Sequence, residues 1–277
     1  DAMQGIKTFI PTANKVTYIQ SLLRVGFDSI DFGSFVSPKA IPQMQDTAEV
    51  LAQLDLSQTK SKLLAIIANT QGAETACTFP EIQYLGFPFS VSETFQQRNT
   101  NSSIEESLNR VEEIQNLCIK NKKELVVYIS MGFGNPYGDP WSEAHVLTLA
   151  KELYETMGIA HFALSDTIGC ATPVLIEHLY PYLTVALKDV EWGLHLHSKP
   201  ENTNAIIQSA IKVGCQRMDS ALLGIGGCPM AADGLTGNLA TEQLINVLEV
   251  KNINHQVDQT FFNIAQHKAK RLFSHYF

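Results

Sequence analysis

His195 and His197 stand two apart at the end of the run EWGLHLH (191–197). If that run is a strand, a period of two points both imidazoles to one face, where they can share a metal ion. The same spacing also suits a hydrogen-bonded or surface pair, and with 8 His in 277 residues chance supplies about 0.2 such pairs per chain. Asp166 closes another strand-like run, HFALSD, and is followed by the small polar turn TIG. A carboxylate there either holds a substrate hydroxyl or caps the turn. Asp31, in SIDFGSF, alternates with Ile30 and Phe32 and is expected to face opposite to them, toward an interior where an acid needs a partner or a task. Cys228 lies in the glycine-rich loop GIGGCPMAADGLTGN (224–238). Gly224, Gly226 and Gly227 let that backbone approach a ligand closely, although a free Cys is more often buried and inert. A second glycine segment, GFGNPYG (132–138), lacks the GxGxxG spacing and is broken by Pro136, so a dinucleotide fingerprint is disfavoured.

These residues sit at the ends of short β-branched or aromatic runs that alternate with helix-length amphipathic segments. Such alternation predicts a parallel sheet with crossover helices. Strands are predicted at 29–35, 62–68, 84–92, 124–131, 161–166, 191–197 and 217–224. Helix starts are marked by Ser102 or Ser103 with a Glu three residues on, by Asp139 before Pro140, and by Thr172 before Pro173. The segment from about Thr241 to Phe277 reads as two further helices, suited to closing the structure or meeting another subunit. Seven strands allow an open doubly wound sheet, or a closed (β/α)8 TIM barrel whose first strand is truncated at the chain start, ending at Asp1. No linker divides the chain, so a single α/β domain over residues 1–277 is expected. In both folds ligands bind at the carboxyl ends of the strands, where His195, His197, Asp166 and the 224–238 loop fall.

Composition narrows the function classes. Hydrophobic residues make up 45% and charged residues 17%, which supports a large core and excludes disorder. The net charge of -8, with no basic cluster, disfavours nucleic acid and anionic membranes as partners. No apolar run is long enough to span a bilayer. The five cysteines, Cys77, Cys118, Cys170, Cys215 and Cys228, contain no CxxC and fit a reducing compartment. A soluble cytoplasmic protein is expected.

Several segments carry a resemblance. SFVSPKAIPQMQDTAEVL (34–51), SETFQQRNTNSSIEESL (92–108), LSDTIGCATP (164–173), HLH (195–197), LLGIGGCPMA and GNLATE (222–242) resemble the 3-hydroxy-3-methylglutaryl-CoA lyase family, itself related to isopropylmalate and homocitrate synthases. The matches keep family order over nearly the whole chain. The resemblance implies the (β/α)8 barrel and a divalent metal, Mg or Mn. It also implies cleavage of an acyl-CoA substrate, hydroxymethylglutaryl-CoA, to acetyl-CoA and acetoacetate. Carried over by motif, Asp1, His195, His197 and Asn238 are the metal ligands. Asp166, Cys228, His195 and Asp31 belong to the catalytic set, and Gln4 and Lys7 to the substrate-contact segment. Two imidazoles favour Mn over Mg on donor chemistry. By analogy of fold, a homodimer is expected.

That chemistry needs these residue types. Retro-aldol cleavage of a tertiary alcohol requires a Lewis acid on the hydroxyl and carboxylate oxygens, a base for the hydroxyl proton and an acid for the departing enolate. Asp166 with His195 is assigned the hydroxyl proton and Cys228 the enolate carbon. Departures from the family pattern bear on substrate preference: Asp31 replaces the usual Glu, HSKPENT and GFGNPYGDP differ from the family's loops, and the Cys228-to-Asn238 loop is one residue longer. The family's Arg directly before the metal Asp has no counterpart in this sequence. Two alternatives stay open: a condensing synthase or aldolase on the same metal barrel, and a catalytically silent barrel.

Overall fold

The computed structural model describes residues 1–227 and 236–276. Seven parallel strands are joined in sequence order into one curled sheet. They are β1 (Ser29–Phe35), β2 (Lys62–Ile67), β3 (Ile82–Ser90), β4 (Glu124–Ser130), β5 (His161–Asp166), β6 (Glu191–Leu196) and β7 (Met218–Asp219). One expected strand is corrected. The run 217–224 is extended only at Met218–Asp219 and then turns into a 3-10 segment at Leu222–Gly224, because Leu223 and Gly224 take positive φ. The chain turns directly after Asp1, with the Gln4 amide on the Asp1 carbonyl at 2.9 Å, and among the described residues β1 and β7 are the edges of the sheet.

Helices pack against the outer face. The capping box at Ser103 and Glu106 starts the helix Ile104–Lys120, and Thr172 caps Pro173–Ala186 through the Leu175 amide. The start expected at Asp139 lies instead at Ser142, which caps Glu143–Met157. Asp139 turns back, its carboxylate accepting from the Thr94 amide at 2.9 Å and from the Ser92 hydroxyl at 2.5 Å. The two C-terminal helices are Thr241–Val250 and Gln259–Phe273. The second packs on the first helix of the chain, Thr12–Leu22, where Tyr18 meets Phe273 edge-on at 5.3 Å.

Side chains alternate across the sheet. Phe87, Phe89, Val127, Ile129, Phe162 and Leu164 face the helices and are fully buried. Leu64, Val126 and Ala163, with Ile66, Tyr84 and Tyr128 against them, form a separate small cluster on the other face. Above it the concave side opens into a cavity of about 480 Å³. Among the described residues no helix is long and apolar enough to cross a membrane.

Candidate active site

His195 near the end of β6 and His197 just past it bring both imidazoles to this cavity, and each is fixed through Nδ1. His197, 3% exposed, has Nδ1 3.0 Å from the Thr167 carbonyl. His195 has Nδ1 3.1 Å from a carboxylate oxygen of Asp219, its partner in register on β7. The ring centroids lie 5.3 Å apart, and Tyr128 meets His195 edge-on at 5.4 Å. With Nδ1 engaged in both rings, Nε2 is the nitrogen left to accept a ligand. Burial, reinforced by the neighbouring His195, pushes the His197 imidazole down to about 3 against the opposing Thr167 hydrogen bond. It is therefore neutral at physiological pH, the state a metal ligand needs.

Asn238 is carried to the same wall by a segment that returns alongside β6. The Ser198 amide donates to the Gly237 carbonyl at 3.0 Å and the Leu239 amide to the Leu196 carbonyl at 3.1 Å, which pairs Asn238 with His197. The Asn238 Nδ2 donates to the Ile225 carbonyl at 2.7 Å, leaving its oxygen as the open acceptor. Asp1 and Gln4 also line the cavity, and the Asp1 Oδ1 is a buried oxygen with no hydrogen-bond partner. The Asp1 backbone nitrogen lies 3.1 Å from the Asp31 carbonyl oxygen and 3.4 Å from its carboxylate. Asp31 lines the cavity with its side chain 35% exposed, and desolvation raises its pKa.

These donors suit a divalent ion by type: two neutral imidazoles, an amide oxygen and an orphaned carboxylate oxygen. Among the described residues, no three His, Cys, Asp or Glu side chains already converge into a ready-made ion site. Asp1, His195, His197 and Asn238 all line the same cavity, Asp1 and Asn238 outside the main strands, without being drawn around one point.

The remaining expected residues fall elsewhere. Asp166 is 1% exposed and absent from the cavity wall. Its oxygens accept from the Cys170 amide at 2.9 Å and the Ala171 amide at 2.8 Å, so it anchors the loop after β5. Lys7 is exposed and does not line the cavity. Cys228 lies outside the described residues. The second glycine segment folds on itself: the Asn135 side chain accepts from the Tyr137 and Asp139 amides, and Trp141 donates to the Gly132 carbonyl.

Three residues were missed from sequence. Thr167 orients His197 through its carbonyl and accepts the Met131 amide at 2.9 Å on its hydroxyl. Gln43 binds the segment after Asp1, donating to the Ile6 and Thr8 carbonyls and accepting the Ile10 amide, each at 2.9 Å. Asp219 orients His195. Its signal was available, because Arg217 and Asp219 lie two apart in the last strand-like run as the histidines do in the one before.

A curled parallel sheet with two oriented imidazoles and an amide oxygen at its strand ends is the layout of an α/β-barrel enzyme. The HMGL-like family model matches residues 1–267, and the chain belongs to that family. It is 32% identical to a hydroxymethylglutaryl-CoA lyase of Bacillus subtilis, over 93% of this chain and 85% of the relative. It is 34% identical to the mitochondrial hydroxymethylglutaryl-CoA lyase of Gallus gallus, with the same shares covered. Among solved structures, an HMG-CoA lyase from Acinetobacter baumannii in complex with coenzyme A and 3-methylmalate superposes with a TM-score of 0.91 at 30% identity. That match covers 99% of this chain and 88% of the other. The (β/α)8 barrel expected from the sequence is the fold of these relatives.

Proposed function

We propose that this chain cleaves 3-hydroxy-3-methylglutaryl-CoA to acetyl-CoA and acetoacetate. The observation that carries the reading is the pair His195 and His197, each bound through Nδ1, in one cavity with Asn238 and the unpartnered Asp1 carboxylate oxygen. Mg or Mn held by Asp1, His195, His197 and Asn238 would supply Lewis acidity to the substrate's hydroxyl and carboxylate oxygens. An acyl-CoA partner is supported by the coenzyme A complex of the Acinetobacter relative.

The residues of the chain divide the remaining work. The bond between C2 and C3 of the hydroxymethylglutaryl group breaks, and its electron pair passes to the thioester enolate while C3 becomes the ketone of acetoacetate. The hydroxyl proton must leave as that ketone forms. Asp31 is suited to take it, being a carboxylate on the cavity wall whose proton affinity burial has raised, with His195 beside it. Asp166 acts from outside the cavity, holding the 166–171 loop that presents the Thr167 carbonyl to His197. Cys228 is proposed to protonate the enolate carbon, which completes acetyl-CoA. Gln4, on the wall, and the exposed Lys7, three residues on, are proposed to contact the acyl-CoA.

The test is acetoacetate release from hydroxymethylglutaryl-CoA by the full chain, with Mg or Mn and after chelation. Release that requires the ion and disappears in Cys228→Ala is expected. A folded chain that binds the ion but releases no acetoacetate would overturn the lyase reading in favour of a condensing reaction on the same barrel.

A further inference from the structure

β7 is a strand at only two residues, Met218 and Asp219, and pairs with β6 at Leu194 and His195. The edge strand is therefore extended only where it sets Asp219 beside His195. The carboxylate lies 3.1 Å from Nδ1, and Tyr128 closes another side of the ring at 5.4 Å. Just below, Arg217 shares the cavity and is tethered to the Glu191 carboxylate and the Phe162 carbonyl, each at 2.9 Å, so the acid sits above a fixed cation. The two histidines differ in this respect: His197 donates to a neutral carbonyl, His195 to a carboxylate. A charge-assisted acceptor holds a ring more tightly and makes its other nitrogen a stronger donor.

We propose that Asp219 is a positioning residue for the lyase reaction: it holds His195 in the tautomer protonated at Nδ1, which reserves the Nε2 lone pair for the divalent ion. This rests on the metal reading given above. The competing role is purely structural, with Asp219 merely stitching the short edge strand to β6.

The experiment uses the full chain with Asp219→Ala, Asp219→Asn and His195→Ala. Manganese affinity is read from the electron paramagnetic resonance of free Mn, and the His195 tautomer from nitrogen NMR of the chelated protein. Asp219→Ala is expected to weaken Mn binding about 10- to 100-fold and to populate the tautomer protonated at Nε2. Asp219→Asn keeps an accepting oxygen without the charge, so its loss is smaller and the Nδ1 proton stays. It also serves where Asp219→Ala does not fold: an unchanged Mn affinity and unchanged His195 shifts in Asp219→Asn would then overturn the proposal. Mn affinity in Asp219→Ala within about twofold of the parent, against the loss expected for an orienting carboxylate, with Nδ1 still protonated, also overturns it, provided that His195→Ala does weaken binding. If His195→Ala binds Mn as the parent does, the metal reading itself fails and this proposal with it.

Discussion

The Lys15 ammonium and the Asp46 carboxylate meet at 2.5 Å with Lys15 only 2% exposed, binding the helix Thr12–Leu22 to the turn that follows β1. The same ammonium donates to the Gln43 carbonyl and lies 4.2 Å from the centre of the Phe9 ring. Asp46 also accepts the Thr12 hydroxyl at 2.7 Å. Removing one member leaves a buried charge unpaired, which costs about 3 kcal/mol or more, whereas removing both charges together can restore much of it. Lys15→Met should therefore lower the unfolding free energy by about 3 kcal/mol, and Lys15→Met with Asp46→Leu by clearly less. Denaturant midpoints of the two variants check this, and equal losses would sink it.

Gln43 carries the consequence toward the site. Its side chain makes three hydrogen bonds to the backbone of residues 6–10, just beyond Gln4 and around Lys7. Gln43→Leu strands one amide and two carbonyls, each costing about 1–3 kcal/mol if it stays dry. The segment is then expected to loosen, raising the KM for the acyl-CoA several-fold with a smaller change in kcat. A kcat loss at constant KM would place the effect elsewhere.

Much of this could be read from the residues. The ends of β1 and β5 matched to the residue, because alternation of apolar and polar positions is a local property. The helix caps at Ser103 and Thr172 were legible for the same reason. The run after Arg217 was misread because Leu222 and Leu223 look like strand residues, while the turn there is set by distant groups: the Leu223 amide sits on both oxygens of Glu242, at 2.9 and 3.0 Å. Asp139 before Pro140 resembled a cap, yet tertiary hydrogen bonds to Ser92 and Thr94 claimed it. At the site, the positions of His195 and His197 were visible, but Thr167, just past the end of β5, and Asp219 on β7 are matched to them only by the fold.

Asp166 gives a prediction in pH. Desolvation raises its pKa above the ordinary 3.8, although the Ala171 and Cys170 amides oppose this. Between 3.8 and the folded value, the folded chain holds a proton that the unfolded chain has released. The contribution to stability is thus full below 3.8 and lost as the pH rises through the folded value. Asp166→Asn deletes that slope. Urea unfolding of both chains from about pH 4 to pH 7 should show the parent losing stability relative to Asp166→Asn as pH rises. A constant difference would mean that burial leaves this carboxyl unperturbed.

Gly226 is the point at which the two loops bearing Asp1 and Asn238 press together. Its φ of +88° is open to glycine and strained for other residues. A Cβ there would lie 2.7 Å from the Ala2 carbonyl oxygen and 2.7 Å from the Asn238 Nδ2, closer than either contact tolerates. The Nδ2 cannot retreat freely, since it donates to the Ile225 carbonyl at 2.7 Å. Gly226→Ala must therefore push the Asp1–Ala2 turn away from Asn238, separating two of the proposed ligands. Backbone strain alone costs about 1–3 kcal/mol. Manganese binding, followed by the ion's stabilisation of the fold in thermal melts, should weaken beyond what that loss explains. Gly5→Ala is the control on the same turn, because a Cβ at Gly5 meets nothing within 4 Å. Gly5→Ala should keep the parent's response to Mn while Gly226→Ala loses most of it; equal responses would show that the close approach at Gly226 does not position the ligands.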